Sequence, residues 1–448
     1  MAYNFKQRIK SLNFLLTNVK ALQVFHLLRQ GAVILIAVVF ANSSLPIEVI
    51  GNYEQLLYIG YTLSFFWVAG LIQGFLSSFH DKTEADQKVF IFNAYLLFLG
   101  VSLFLFFLML GIPKVVYGLF TDGKILAYYQ LYLVYLLFNM PSYLVENIYL
   151  LKEKAGKIYL FGIYSFVGHF LVLALPIWLG FDFYYAMLGL VFLAFSKHLW
   201  LIYLIVKLGT SRFDFQSIKP WFLLSFPLIL YALLGGLMQT FDNWLINYWY
   251  DGDQTIFAIF RYGARELPLA LALAAAFSSA MLPEVNKALN PALKAIKSKS
   301  LQLFHLLFPI TILLLLTSRY WFTWVFSEAF EQSIIVFDTY LLIISSRLLF
   351  SRTILMGLKD NRVVLYISIL EFLINIGLSF LFIAWWGLPG VAMATVIAYL
   401  IEKFFICYYL YWKYQIPLSN YAVMPWWTGY TIALFFIYFY TNTAYFSF

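Results

Sequence analysis

Apolar stretches of about 20 residues recur along this chain from Leu22 to Phe448, separated by short polar connectors. Water cannot solvate a chain patterned in this way. A bilayer can, provided that every backbone N–H and C=O finds a partner inside the protein, and helices meet that condition for stretches of this length. Composition agrees: of 448 residues, 63% are hydrophobic and 11% are Asp, Glu, Lys or Arg, against roughly 25% charged in soluble domains. The expected fold is an all-α polytopic membrane protein with no room for an extramembrane domain. Its formal charge of +8 is dispersed through connectors, with no basic face interleaved with stacking aromatics, so nucleic acid is excluded as a partner. Cys407 is the single cysteine, which removes disulfide frameworks and thiolate metal sites and leaves it as filler at a helix end.

Residues 1–20 lack the continuous apolar core and small-residue cleavage site of a signal peptide. Phe5, Ile9, Leu12, Leu16 and Val19 follow the helical period while Lys6, Lys10, Asn13 and Lys20 lie elsewhere, so 1–20 is expected to be an amphipathic interfacial helix. An N-terminal six-helix bundle within 21–206 has spans at roughly 22–41, 53–79, 89–110, 125–150, 158–179 and 184–206. A cytoplasmic linker, 207–219, leads to a C-terminal six-helix bundle within 220–412, with spans at roughly 221–249, 255–282, 301–318, 334–356, 363–386 and 390–411. The remaining 413–448 holds an apolar stretch, about 425–446, that either forms a thirteenth span or lies at the interface. Alternate connectors carry nineteen Lys and Arg, running from Lys6 through Lys82, Lys152, Lys207, Lys287 and Lys359 to Lys413, against Lys114, Lys124 and Arg319 on the other side. The positive-inside rule therefore predicts a cytoplasmic N-terminus.

Six is even, so the two bundles share one orientation and any repeat between them is parallel. Leu150-Leu151-Lys152-Glu153-Lys154 matches Leu355-Met356-Gly357-Leu358-Lys359, and Ile50-Gly51-Asn52-Tyr53 matches Ile256-Phe257-Ala258-Ile259. Two pseudo-symmetric six-helix bundles around a central cavity form a transporter's architecture.

Several motifs lie in a characteristic order: Ser225-Phe226-Pro227-Leu228-Ile229, Gln239 to Ile246 with Asp242, Ile256 to Leu267 with Arg265-Glu266, and Met281-Leu282-Pro283-Glu284. They continue with Gly357-Leu358-Lys359-Asp360-Asn361-Arg362, Asn375, and Gly387 to Thr395. Together with Gly51-Asn52-Tyr53, this series resembles the polysaccharide (Wzx-type, O-antigen or oligosaccharide-lipid) flippases of the multidrug/oligosaccharidyl-lipid/polysaccharide exporter superfamily. The resemblance covers spans one to twelve. It implies a multi-pass protein of the bacterial plasma (inner) membrane that turns an isoprenoid-diphosphate-linked oligosaccharide from the cytoplasmic to the outer leaflet, for O-antigen, capsule or exopolysaccharide synthesis. Glycosyltransferases and a glycan polymerase are the partners it implies. Relatives with twelve or fourteen spans are common, and a thirteenth span departs from that pattern.

Ionisable groups at mid-bilayer depth cost at least about 2.5–3.5 kcal/mol, so each needs a partner or a wet cavity. Inside the spans stand Arg29, Asp242, Arg261, Arg265, Glu266, Arg347, Arg352 and Glu371, whereas Lys197, Glu402 and Lys403 read as able to snorkel. Arg261 and Arg265, four apart, are expected on one helix face with an anion opposite, either a substrate diphosphate or, for Arg261, Asp242. Arg29 is the second candidate for a cationic cavity. The resemblance adds weight, because related flippases for diphosphate lipids carry cavity arginines on the corresponding helices one and eight. Arg347 and Glu371 sit at matched depth on consecutive helices and are expected to pair; alternatively Glu371 or Asp242 couples transport to H+ or Na+. Four scattered histidines, His26, His169, His198 and His305, make no metal site, and no cofactor is expected. Outer connectors are too short for a glycosyl-transfer site, so the chain is not expected to be an enzyme. The connector His80 to Lys88 lacks the Gly-rich signature of a major facilitator. The remaining alternative is an ion-coupled drug or metabolite antiporter of the same superfamily, which would favour an acidic cavity.

Overall fold

A computed structural model describes residues 18–79, 82–265 and 268–443. The amphipathic reading of 1–20 falls almost wholly outside these residues, as does Glu266. The described residues form helices and turns with no strand. In chain order the helices are α1 (Asn18–Ala41), α2 (Ile47–Phe79), α3 (Glu84–Gly111), α4 (Pro113–Phe120), α5 (Tyr129–Ser142), α6 (Leu144–Leu151), α7 (Ala155–Trp178), α8 (Phe183–Leu208) and α9 (Phe215–Trp249). They continue as α10 (Gln254–Gly263), α11 (Pro268–Lys287), α12 (Leu289–Phe326), α13 (Ser333–Leu341), α14 (Ile344–Arg347), α15 (Ser351–Gly357), α16 (Asn361–Trp386), α17 (Leu388–Tyr414) and α18 (Met424–Thr441). Two compact units divide this series, Met1–Phe257 and Ala258–Phe448.

Among the described residues nine helices are long and apolar enough to cross a membrane, or ten if Ser333–Arg347 and Ser351–Gly357, bent by 44°, count as one broken span. Spans four, eight and thirteen of the sequence reading are the difference. Span four breaks between α5 and α6 at Tyr143, just after Pro141, which has no N–H to continue the ladder. Span eight breaks between Gly263 and Pro268. The last stretch forms α18, whose 18 residues cover roughly 27 Å, but Trp, Tyr and Thr dilute its apolar run. In span ten the Ser345 and Ser346 hydroxyls turn back onto the carbonyls of Leu342 and Ile343, at 2.7 and 2.9 Å, where the helix is interrupted.

The connector before span nine is not a loop. Helix α12 runs 38 residues, roughly 57 Å, and so extends well beyond a hydrocarbon core of about 30 Å. Ala292, Leu293, Ile296, Ser300, Phe304, Leu307 and Phe308 are buried along one continuous stripe that starts in the lysine-bearing part.

In the first unit, α9 packs along α2. Gly70 and Gly74 of α2 allow this approach, because a Cβ at either would overlap Ile229 or Ser225 of α9. At the other end of α2, Asn52 accepts from the Ala127 N–H (2.8 Å) and donates to the Ala127 carbonyl (3.0 Å), while Gln55 donates to Asn247 at 2.6 Å. The Gly51-Asn52-Tyr53 motif is thus a bracket: Gly51 leaves room for the Gln254 backbone and Asn52 pins the start of α5.

A repeat is visible in the turns. Lys154 N–H bonds to the Tyr149 carbonyl and Asp360 N–H to that of Leu355, and Glu153 and Lys359 are the matching left-handed residues with φ of 54° and 64°. These equivalents lie 206 positions apart (153 and 359), as do the ends of α8 and α17 (208 and 414). The match of Leu150 with Leu355 is therefore one residue out of register, while that of Ile50 with Ile256 has the structural spacing. Helix identity is poor evidence for register in apolar runs, where a one-residue shift changes the composition little.

Candidate functional site

Within the first unit, the break at Tyr143 starts α6 and places Glu146 in its first turn, 8% exposed. Lys197 of α8 donates to Asn139 Oδ1 of α5 at 2.7 Å. Arg29 of α1, whose side chain is exposed, is within electrostatic reach of Glu146, Lys197, His169 of α7, Tyr61 of α2 and Tyr135 of α5. Tyr61 in turn donates to Gln239 of α9 at 2.9 Å. His169 Nε2 is buried and has no hydrogen-bond partner among the described residues. Two basic side chains, Arg29 and Lys197, thus lie within electrostatic reach of one acidic side chain, Glu146.

Arg29 is a candidate from the sequence, whereas Lys197 reads there as a snorkelling chain and Glu146 is not among the candidates. The signal was present: Glu146 is the only Asp, Glu, Lys or Arg between Ile125 and Leu151. Its position near the end of an expected span reads as a connector. The break after Pro141 removes that reading.

In the second unit, Glu402 of α17 is 2% exposed and lies 3.3 Å from Arg352 Nη1 and 2.9 Å from Lys403 Nζ. It does not snorkel. Glu371 of α16, 7% exposed, is within electrostatic reach of Glu402, Arg352, Lys403 and Arg347. The Arg347 guanidinium lies 4.9 Å from the Tyr399 ring centre. Arg347 and Glu371, expected to pair, lie in one cluster of five charged groups whose contact ion pairs are made by Glu402. Beside it, Asn375 donates to Thr395 Oγ1 at 3.0 Å, joining α16 to α17.

Arg261 and Arg265 do not share a helix face. Arg261 is in the last turn of α10, whereas Arg265 lies beyond Gly263 in non-helical chain and rests over the Tyr262 ring at 4.6 Å. Pro268 cannot donate to a continuing helix and disfavours the helical conformation in the residue before it, which accounts for the break. Asp242 is half-buried in α9 and belongs to the first unit, while Arg261 belongs to the second.

The Gly357 to Arg362 motif has a structural task. Asp360 Oδ2 accepts from Lys413 Nζ (2.7 Å), Tyr409 OH (2.8 Å) and Tyr414 OH (3.0 Å), fastening the α15–α16 turn to the end of α17. The Lys413 hydrogen bond, helped by the two phenols, holds the Asp360 carboxyl below the ordinary aspartate range.

No protein-family model matches the sequence, and no curated protein sequence does. Solved structures do match. The chain is similar to the lipid II flippase MurJ in an inward closed conformation, with a TM-score of 0.72 and 18% identity over 94% of this chain and 93% of that one. It is also similar to an inward-facing multidrug resistance MATE transporter of the MOP superfamily, at 0.64 and 14% over 90% and 98%, and to an outward-facing one, at 0.55 and 17% over 87% and 94%. The chain shares the fold of these solved transporters, and its long apolar helices make it a multi-pass membrane protein.

Proposed function

We propose that this protein is a flippase for isoprenoid-diphosphate-linked oligosaccharides, moving them from the cytoplasmic to the outer leaflet of a bacterial plasma membrane by alternating access. The observation that carries this reading is the placing of Arg29 and Lys197 within electrostatic reach of one acid, Glu146, inside the first unit of a fold shared with a lipid II flippase. A guanidinium binds phosphate oxygens through a fork of N–H donors, and low dielectric strengthens each contact. Arg29, Arg261 and Arg265 are the proposed cargo-binding arginines. Asp242 or Glu371 is the proposed coupling group for H+ or Na+, with Arg347 as the counter-ion of Glu371. The cytoplasmic N-terminus belongs to the same proposal and rests on the Lys and Arg bias.

Similarity to MATE transporters supports the second reading, an ion-coupled drug or metabolite antiporter. Reconstituted vesicles separate the two. A fluorescent isoprenyl-diphosphate disaccharide placed in the inner leaflet reaches the outer leaflet at a protein-dependent rate if the flippase reading is right. Protein-dependent accumulation of ethidium, with no movement of the lipid, would select the antiporter.

A further inference from the structure

Asp338 of α13 is fully buried, 0% exposed, and takes part in no contact ion pair among the described residues. Its Oδ2 accepts from Asn442 Nδ2 at 3.3 Å, and its Oδ1 has no hydrogen-bond partner. Asn442, 1% exposed, stands just beyond the end of α18. Its Nδ2 also lies 3.1 Å from the Tyr438 carbonyl and 3.2 Å from Thr441 Oγ1. Three acceptors therefore fix which side of the amide carries the hydrogens, and Asn442 Oδ1 is left without a donor. Two buried acceptors, one on each partner of a single hydrogen bond, thus lack a donor. The groups around them supply none. Arg319 of α12 is exposed and gives Nη2 to the Thr441 carbonyl at 2.6 Å. Ser318, which faces Asp338, donates its hydroxyl hydrogen to the Leu315 carbonyl at 3.1 Å, and Tyr438 OH is shared with Thr339 Oγ1 at 2.7 Å. Arg319 and Tyr438 are the charged or titratable groups within electrostatic reach of Asp338, and α17, which also packs on α13, adds none among the described residues.

We propose that Asp338 and Asn442 form a proton-binding clasp: one proton on Asp338 Oδ1, donated to Asn442 Oδ1, closes an acid–amide pair and fastens the end of α18 to α13. A single proton meets three deficits. It makes Asp338 Oδ1 a donor, gives Asn442 Oδ1 the donor it lacks, and removes a charge that a fully buried carboxylate with one neutral hydrogen bond cannot hold cheaply. The pair then makes two opposed hydrogen bonds, amide N–H to carboxyl oxygen and carboxyl O–H to amide oxygen. Asp338 is the sixth residue of α13, roughly 7–8 Å from the helix start. In the orientation proposed above that start faces outward, so the proton comes from the outer aqueous phase and returns to it when the end of α18 lifts. An aspartate released into water is ionised at neutral pH. The proton is therefore bound in the docked state and lost in the released one, so docking is favoured as pH falls and weakens as pH rises. The inference concerns the second unit alone and is independent of what the protein carries.

The test uses the full-length protein in lipid nanodiscs at about pH 5 and about pH 9, on either side of neutrality. Infrared difference spectra report protonated carboxyls through their C=O stretch. Hydrogen exchange, corrected for the intrinsic rate at each pH, reports how tightly the segment from Tyr438 to Asn442 is held. Wild type is expected to show a protonated-carboxyl band in acid that is missing from Asp338→Asn. Its protection of that segment is expected to be about tenfold or more lower in alkali, because one proton lost per opening changes the equilibrium about tenfold per pH unit. Asp338→Asn keeps a donor toward Asn442 Oδ1 but has no proton to lose, and is expected to stay protected at both pH values. Asn442→Leu is the second variant: loss of the amide donor is expected to move the carboxyl band to higher frequency and to lower protection even in acid. Wild-type protection that is the same at both pH values, a pH dependence that persists in Asp338→Asn, or spectra in which neither variant alters a carboxyl band overturns the clasp. Protection restored in alkali by sodium chloride but not by choline chloride also overturns it, since a metal cation and not a proton would then join the two oxygens.

Discussion

A charged side chain in this molecule is legible from sequence as an anomaly, but its role depends on which neighbours the fold supplies. Arg29, Arg347 and Glu371 stand out because they interrupt apolar stretches, and all three lie in polar clusters. Glu402 and Lys403 interrupt a span equally, yet their burial follows from the way α16, α15 and α17 pack, which the sequence does not display. Glu402 is the hub of its cluster, in contact with both Arg352 and Lys403. Glu402→Gln should therefore lower unfolding stability by about 3 kcal/mol, the low end for breaking a buried pair because Arg352 is partly exposed, and should cost more than Arg352→Gln, which leaves Lys403 in place. Denaturation of the purified variants in one detergent tests the order. Asp360 supplies a pH prediction. Its folded carboxyl is depressed below the ordinary value of 3.8 by Lys413 and the phenols, so its contribution is present above that value and fades as pH falls through the lower, folded one. The thermal stability gap between wild type and Asp360→Asn should be constant from pH 5 to 8 on the order-of-magnitude scale of such shifts and should close in stronger acid. A gap that widens in acid would contradict the latch.

At the scale of elements, hydropathy locates helices well and their interruptions poorly. Every expected span from one to twelve is occupied by helix, but four, eight and ten are broken, and in a break a face argument fails. Arg261 and Arg265 are the instance: four positions apart, they would be neighbours on a continuous helix, and Gly263 with Pro268 makes that geometry unavailable. Prolines mark breaks after 141 and before 268, whereas Pro227 and Pro309 lie inside continuous helices, so proline alone does not say where a helix ends. Glycines carry a complementary signal. Gly70 and Gly74 on α2 have the spacing of a close helix contact, and the structure places α9 against both. Gly74→Leu should destabilise the first unit by about 1–3 kcal/mol, the usual range for overpacking, and Gly74→Ala by less. Gly377, with open space where its Cβ would be, is the control at which Ala should be neutral or stabilising. Equal losses at both positions would indicate a helix-wide effect instead of the α2–α9 contact.

For the whole molecule, function turns on the sign of charge within the spans and on the side from which cargo enters. In the proposed orientation the Lys294 to Lys299 segment of α12 is cytoplasmic, so a single cysteine at 297 in a Cys407→Ser background should react with an impermeant maleimide only after the membrane is opened. Labelling in intact cells would reverse the direction of transport inferred here. Cargo recognition is tested more directly through the arginines. In the proposed function, Arg29, Arg261 and Arg265 meet a diphosphate, and Arg265 in addition rests on Tyr262, a contact that a lysine retains in part. Arg265→Ala should therefore abolish flipping at matched membrane levels, while Arg265→Lys should recover a fraction, because the charge survives and the two-pronged donor geometry does not. The readout is lipid-linked oligosaccharide retained on the cytoplasmic leaflet of cells expressing each variant. A folded Arg29→Ala, Arg261→Ala, Arg265→Ala protein that still clears this pool at the wild-type rate would remove positive charge from the recognition mechanism, and the ion-coupled antiporter would then be the better account of the same fold.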